Sequence, residues 1–125
     1  MKLPLTLALL SAFSPGLAQA QARPATSAES AEIRNAVVAR LKDPDSAKIE
    51  AIDVAAPDAT HISKFCGYVN AKNSFGGYAG ALRFYGLVGP REDGSTMAVL
   101  IGIATPNDLG AVDAMCAKAG IAATR

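Results

Sequence analysis

Apolar and polar positions change their spacing several times along the chain, and each spacing predicts a different element. Thr26 followed by Glu29 forms a capping box in front of the first helical pattern. This pattern predicts a helix over 27–42, and Pro44 ends it because proline cannot continue a helix. Residues 43–47 predict one further turn, with Asp43 as its cap and Pro44 at the first helical position. The recurring positions of the helix are Ile33, Ala36, Val37, Arg40 and Leu41.

Alternating positions then predict four strands, at 48–54, 61–71, 81–88 and 96–104. Residues 89–95 separate the last two strands, and their Pro, Asp-Gly and Ser are typical of a reverse turn, so we expect an antiparallel hairpin. Large apolar residues share one parity in each of these two strands, which predicts one core face. That face contains Met97, Val99, Ile101, Ile103, Leu82, Phe84 and Val88, and it leaves Arg83 and Tyr85 pointing outward.

A second helix is predicted at the end of the chain. Thr105 caps it, Pro106 occupies its first position, Asp108 completes a capping-box variant and Gly120 ends it. Its apolar positions fall on one stripe, which places Cys116 on the buried side. The stripe consists of Leu109, Val112, Met115, Cys116 and Ala119.

Together these elements predict an α+β fold, with a four-stranded antiparallel sheet and the N-terminal and C-terminal helices packed on one face. A bulge at Gly67 would bring Cys66 and Val69 onto that covered face. Residues 27–125 form the single domain. Residues 21–26 show no apolar periodicity, and we predict that they are a disordered lead-in.

The first twenty residues predict a secretory signal peptide. Lys2 provides a basic start, residues 3–17 are apolar, and Ala18 and Ala20 are the small residues that a signal peptidase reads. We expect cleavage after Ala20, with cleavage after Ala22 as the alternative. An apolar segment of about 15 residues is too short to span a bilayer. We therefore expect a periplasmic or secreted protein that has no membrane span once the signal is removed.

Export and charge narrow the functional classes. Cys66 and Cys116 are the two cysteines of the chain, and an oxidising compartment predicts a disulfide between them. The chain of 125 residues carries 12 Lys+Arg and 11 Asp+Glu. Such a balance argues against nucleic-acid binding, which requires a clustered basic surface.

Two motifs carry a resemblance to a known family. Residues 43–48 read Asp-Pro-Asp-Ser-Ala-Lys, and residues 66–78 read Cys-Gly-Tyr-Val-Asn-Ala-Lys-Asn-Ser-Phe-Gly-Gly-Tyr. The pair resembles motifs in a family of small exported bacterial proteins of uncharacterised function. The resemblance implies export and a shared domain, and it implies no particular activity.

The loop between the second and third predicted strands is the candidate binding site. Its residues tolerate positive φ or bond their own backbone, so an architectural role alone would account for most of them. They also offer ring stacking and amide hydrogen bonds to a ligand. The candidate binding residues are Asn70, Lys72, Asn73, Ser74 and Tyr78 in the loop, with Arg83 and Tyr85 on the outward strand face.

Residue patterns typical of catalysis do not occur in the sequence. A single histidine forms no histidine cluster, bonded cysteines bind no zinc, and neither Gly-x-Ser-x-Gly nor Ser-x-x-Lys is found. Asp43 and Asp45 fall short of a calcium loop. The pairs Glu92–Asp93 and Asp108–Asp113 leave a weak hydrolase as the least favoured alternative.

The sequence therefore predicts a small exported interaction domain without catalytic residues, cofactor or metal, for which an inhibitor or immunity-type protein is an analogy from size and export. The expected partner is another envelope or secreted protein. The alternative is a structural or envelope-stress protein in which the loop is only architecture. An exposed Tyr78 would favour the first interpretation, and a buried Tyr78 would favour the second.

Overall fold

The protein is described by a computed structural model over residues 2–4, 21–73 and 75–124. Apart from residues 2–4, the predicted signal peptide lies outside these ranges, and so does Ser74. Within them the chain forms two helices and five strands. In order these are β1 (Arg23–Pro24), α1 (Ser27–Val38), β2 (Lys48–Val54), β3 (Ser63–Asn70), β4 (Leu82–Pro90), β5 (Thr96–Ile103) and α2 (Ala111–Lys118), with a single 3-10 turn at Pro44–Ser46 between α1 and β2.

The sheet is antiparallel, with its strands in the order β1-β2-β3-β4-β5. The α+β class is confirmed, with one strand more than the four predicted. β1 is the added strand: Arg23 pairs with Val54, and the Ala25 amide donates to the Ile52 carbonyl at 2.9 Å. The prediction of a disordered lead-in over 21–26 is therefore wrong, because even a polar segment can satisfy the open backbone edge of β2.

The capping box that begins α1 is present in full. The Glu29 amide donates to the Thr26 hydroxyl at 3.2 Å, and the Thr26 amide donates back to the Glu29 carboxylate at 2.9 Å. The helix ends at Val38 rather than at 42, because the amides of Arg40 and Leu41 donate to the carbonyls three residues back, not four, and form a tighter turn after the helix. The 3-10 turn occurs where the sequence predicts it, although Asp43 makes no side-chain cap bond among the described residues.

The two helices cover opposite faces of the sheet, so the prediction that both pack on one face is wrong. The first cluster of buried residues, which we call the α1 face, combines two residues of α1 with six of the sheet. The second, the α2 face, combines strand residues of the other parity with α2. β3 and β4 carry apolar or aromatic side chains on both faces of the sheet. Each face is therefore buried only if another element packs against it. The α1 face consists of Ile33, Val37, Val54, Phe65, Val69, Phe84, Val88 and Leu100, and the α2 face of Ala55, Cys66, Tyr85, Val112, Cys116 and Ile121.

Two glycines make room for phenylalanine rings on the α1 face. Gly67 lies opposite Phe84, and Gly86 lies opposite Phe65. A Cβ on Gly67 would lie 2.4 Å from the Phe84 ring, and a Cβ on Gly86 would lie 2.4 Å from the Phe65 ring. Gly67 is thus a packing glycine. The prediction of a bulge in β3 at Gly67 is wrong, because the extra residue lies in the neighbouring strand: between Glu50 and Asp53, β2 has two residues opposite the single residue Gly67. Cys66 and Val69 consequently pack on different faces.

A register shift in β5 overturns the predicted core face of that strand. Tyr85 pairs with Gly102 and Gly86 with Leu100, which leaves Ile101 as the inserted residue of a bulge. Leu100 and Ile103 consequently pack on the α1 face. Met97, Val99 and Ile101, which we expected in the core, are 40%, 48% and 51% exposed.

α2 begins later than predicted and ends where predicted. The Thr105 amide donates to the Asp108 carboxylate at 3.3 Å within a separate turn, and the helix starts after Gly110. Gly120, at φ +78°, ends it in a Schellman motif: its amide donates to the Ala117 carbonyl, and the next amide donates to the Cys116 carbonyl. Leu109 and Met115, predicted on the buried stripe, are exposed.

The predicted disulfide between Cys66 and Cys116 is present and joins α2 to β3 across 50 sequence positions. Of the helices in the described ranges, neither has the length and apolar character that a bilayer span requires.

Candidate functional site

Three connecting segments meet at one end of the sheet, where β2 and β4 begin and β3 and β5 end. We call this surface the loop end and define it as residues 39–47, 71–81 and 104–110, together with Lys48 at the start of β2. Of the predicted loop residues it contains Lys72, Asn73 and Tyr78. Asn70 is the last residue of β3, next to this surface, and Ser74 lies outside the described residues.

The segment 71–81 is a hairpin stabilised by its own hydrogen bonds. The Asn73 amide donates to the Gly77 carbonyl at 2.8 Å, and its side-chain oxygen accepts from the amides of Phe75 and Gly77 at 2.9 and 3.3 Å. The Asn70 side chain accepts from the Gly80 amide at 3.2 Å. The side-chain oxygens of the two predicted asparagines therefore hold the loop in one shape.

Tyr78 ties this hairpin to the 3-10 turn. Its hydroxyl donates to the Ser46 carbonyl at 3.3 Å, and the Lys72 amide donates to the Ser46 hydroxyl at 2.9 Å. The ammonium of Lys48 lies 4.5 Å from the centre of the Tyr78 ring, a cation–π distance. The two sequence motifs, at 43–48 and 66–78, are therefore in direct contact. Tyr78 is 43% exposed, so it contributes both to this contact and to the surface.

Two large apolar side chains project from the loop end. Phe75 is 96% exposed and Leu109 is 98% exposed. Leu109 also has φ +55°, in the left-handed region that a non-glycine residue rarely adopts. Sequence analysis missed both residues. The sequence feature that could have indicated an exposed Phe75 is its position between Asn73 and two glycines, because none of these neighbours has an apolar side chain that could bury an aromatic ring.

A groove of about 410 Å³ lies beside the hairpin, between the end of α1 and β4. Its apolar wall includes Leu41, Val69 and Leu82, and its polar wall includes Arg40, Lys42, Lys72, Asn73 and Thr105. Over the whole loop end the charges nearly balance. The four cations are Arg40, Lys42, Lys48 and Lys72, and the three carboxylates are Asp43, Asp45 and Asp108.

Arg83 and Tyr85 do not belong to this surface, and the prediction that they point outward is wrong. They are only 6% and 4% exposed because α2 covers their side of the sheet. Arg83 instead donates to the Asp113 carboxylate at 3.3 Å and to the Ile121 carbonyl at 3.0 Å.

In each carboxylate pair considered for hydrolysis, one member, Asp93 or Asp108, accepts hydrogen bonds within a turn, and Asp113 lies in α2 and faces Arg83. The Ser95 hydroxyl and amide both donate to Asp93, and the hydroxyl bond is the main cause that lowers the pKa of this carboxyl. Asp108 accepts from the Gly110 amide at 2.9 Å. Within the described ranges, no three His, Cys, Asp or Glu side chains form a group that could hold a metal ion.

Comparisons with protein-family models, with curated proteins and with solved structures gave no match to this chain.

Proposed function

We propose that the protein is an exported domain, periplasmic or secreted, that binds another envelope or secreted protein through the loop end. The observation that carries this proposal is Phe75, which is 96% exposed at the tip of a hairpin whose backbone is held by internal bonds. An aromatic side chain on a preorganised loop loses little conformational entropy on binding and can fill a pocket of the partner. Inhibitor and immunity-type proteins are the forms of such a domain that we favour.

The exposure of Phe75 also supports this proposal over the alternative of a purely architectural loop. A loop that served only the fold would bury its largest side chain, because leaving a phenylalanine in water forgoes about 1.5–3 kcal/mol. The architectural contacts of the loop are made by Tyr78, through Ser46 and Lys48, and by the two asparagine side chains, and Phe75 takes no part in them.

The charge balance favours a protein partner over an anionic membrane. Attraction to acidic lipids grows by about 1 kcal/mol for each Lys or Arg near the surface. At the loop end four cations face three carboxylates, so little net attraction remains. The mixed charges and the groove instead match the polar rim of a protein interface.

The test is affinity capture from an envelope extract, with the exported and oxidised protein as bait. Phe75→Ala is compared with Met97→Ala, which removes an exposed apolar side chain from the outer face of β5, away from the loop end. We expect a partner retained by the wild type and by Met97→Ala. In direct titration of that partner, Phe75→Ala should weaken binding by about 30-fold, the effect of an anchor residue worth about 2 kcal/mol.

Three results would contradict the proposal. The first is equal binding of the partner by Phe75→Ala and the wild type. The second is binding to vesicles of acidic lipids that depends on Phe75 while no protein is retained, which would identify a membrane ligand. The third is retention of no protein by any bait, which would favour the architectural alternative.

A further inference from the structure

On the face of the sheet that α2 covers, the protein buries an arginine whose charge is poorly compensated. Arg83 is 6% exposed. The Asp113 carboxylate that faces it is 66% exposed and lies 3.3 Å away, so water screens much of this interaction. The Arg83 Nε–H is buried and has no hydrogen-bond partner among the described residues.

Burial of a cation with an unused donor is unfavourable unless an anion completes the site. Asp113 and the Ile121 carbonyl engage two of the five guanidinium donors. On one side the guanidinium carbon lies 5.6 Å from the centre of the Tyr68 ring. This contact supports the cation without neutralising it.

Arg83 also lines a cavity of about 570 Å³. Apart from Arg83 and Asp113, the lining consists of residues 117 and 120–123, which are small or apolar. The chain that forms this wall is held in place by the Thr124 amide, which donates to the Tyr68 hydroxyl at 3.2 Å. The wall is thus fixed at both ends, by Gly120 in the helix terminus and by Thr124.

We propose that this cavity binds a carboxylate carried on a short apolar group, with Arg83 as its anion-binding residue. A guanidinium recognises the planar carboxylate through paired N–H donors, and the alanine-rich wall accommodates the apolar group. Because Asp113 already supplies one negative charge, the site suits a monoanion and disfavours a phosphate dianion. Two sources fit this chemistry, a free short-chain carboxylate and the C-terminal carboxylate of a peptide that ends in a small residue.

The test is an NMR titration of the exported, oxidised protein that follows the Arg83 Nε–H resonance and the amides of residues 120–123. The probes are propionate, an alanine-terminated tripeptide with a free or an amidated C-terminus, and inorganic phosphate. We expect saturable shifts with propionate or with the free-acid tripeptide, and weaker binding of phosphate. Propionate binding indicates a free carboxylate as the source, whereas binding of the free-acid tripeptide alone indicates a peptide terminus.

Two variants separate this role from a purely structural arginine. Asp113→Asn removes the competing carboxylate, and we expect it to tighten carboxylate binding by about two- to fivefold, the effect of one partly exposed ion pair. Glu92→Gln makes the same change in net charge in the β4–β5 turn and should leave binding unchanged. Arg83→Lys should weaken binding by at least about tenfold, because an ammonium lacks the paired donors.

The proposal is overturned if carboxylate probes shift none of these resonances saturably, if phosphate binds as tightly as propionate, or if Asp113→Asn and Glu92→Gln alter binding equally. These results do not bear on the loop end. Conversely, failure of Phe75 to anchor a protein partner would leave carboxylate binding at Arg83 intact.

Discussion

Removal of the disulfide should release α2 from the sheet while the α1 side stays folded. Among the described residues, the cluster on the α1 face has no member from α2. On the other face, α2 buries Val112 and Cys116, and the chain just after it buries Ile121. The change is the double substitution Cys66→Ala with Cys116→Ala. Alanine is chosen over serine because serine would place a hydroxyl at these two buried positions.

The magnitude follows from the size of the helix. Ordering the backbone of its eight residues costs about 8–16 kcal/mol. Burial of three apolar side chains returns about 5–9 kcal/mol, and a few helical hydrogen bonds add about 1 kcal/mol each. These terms nearly cancel. The disulfide closes a loop of about 50 residues, which contributes about 4 kcal/mol by the chain-entropy relation, so it decides whether α2 stays docked.

The assay is amide hydrogen exchange measured by NMR on the oxidised protein and on the double alanine variant. A loss of about 4 kcal/mol corresponds to a decrease of about a thousandfold in α2 protection. Amides in the centre of β3 and β4 should lose far less. Oxidised Val112→Ala serves as the control, since it trims the same interface but keeps the link. Equal loss of protection in α1 and α2 would show that the domain unfolds as one unit and would refute the reasoning.

Two further predictions concern the α1 side of the protein. Gly67→Ala places a Cβ against the buried Phe84 ring and should reduce the free energy of unfolding by about 1–3 kcal/mol. Gly77→Ala adds a Cβ that would meet no atom within 4 Å beyond the adjacent residues, and it should change the free energy of unfolding by less than about 0.5 kcal/mol. Urea titration measures both variants, and equal effects would contradict the packing argument. The hydrogen bond from Arg23 is the main cause that lowers the pKa of Glu29 from 4.5 to about 2. Because the pKa of Glu29 is lower in the folded state than in the unfolded state, this stabilisation is complete above about pH 5 and is lost as the pH falls toward 2. Glu29→Gln should therefore reduce the loss of stability between pH 5 and pH 2. If stability depends on pH equally in the wild type and in Glu29→Gln, this contribution is ruled out.

Local signals predicted the parts of the fold that local contacts determine. The capping box at Thr26, the end of α2 at Gly120 and the β4–β5 hairpin all depend on residues within a few positions of one another. β2 also occurs at the predicted residues. The disulfide followed from chemistry and from the expected compartment, since the chain offers one pair of cysteines.

The assignment of faces failed because one residue can reverse it. The prediction grouped the alternate residues of β5 on one face, which holds only for a regular strand. Because Ile101 is an inserted residue, Val99 and Ile103 lie on opposite faces. Parity in β4 correctly grouped Arg83 with Tyr85. It could not show that a helix would cover them, because that depends on where α2 packs in three dimensions.

The exposed row on β5 shows why an edge strand need not be a site of strand addition. Met97, Val99 and Ile101 would make this edge prone to aggregation. Two arginines protect it, however. Arg40 donates to the Leu100 carbonyl at 2.9 Å, and Arg91 donates to the Thr96 carbonyl at 2.6 Å. These carbonyls are therefore already occupied, which disfavours pairing with another strand.

The hairpin that carries Phe75 and the Arg83 cavity are held in place by different contacts. The hairpin that carries Phe75 is bonded to Ser46, in the turn that leads from α1 into β2. The cavity is bounded by α2 and by the chain that follows it, which the link between Cys66 and Cys116 holds to the sheet. The two proposed sites can therefore be tested separately by substitution, because each face of the central strands is covered by a different helix.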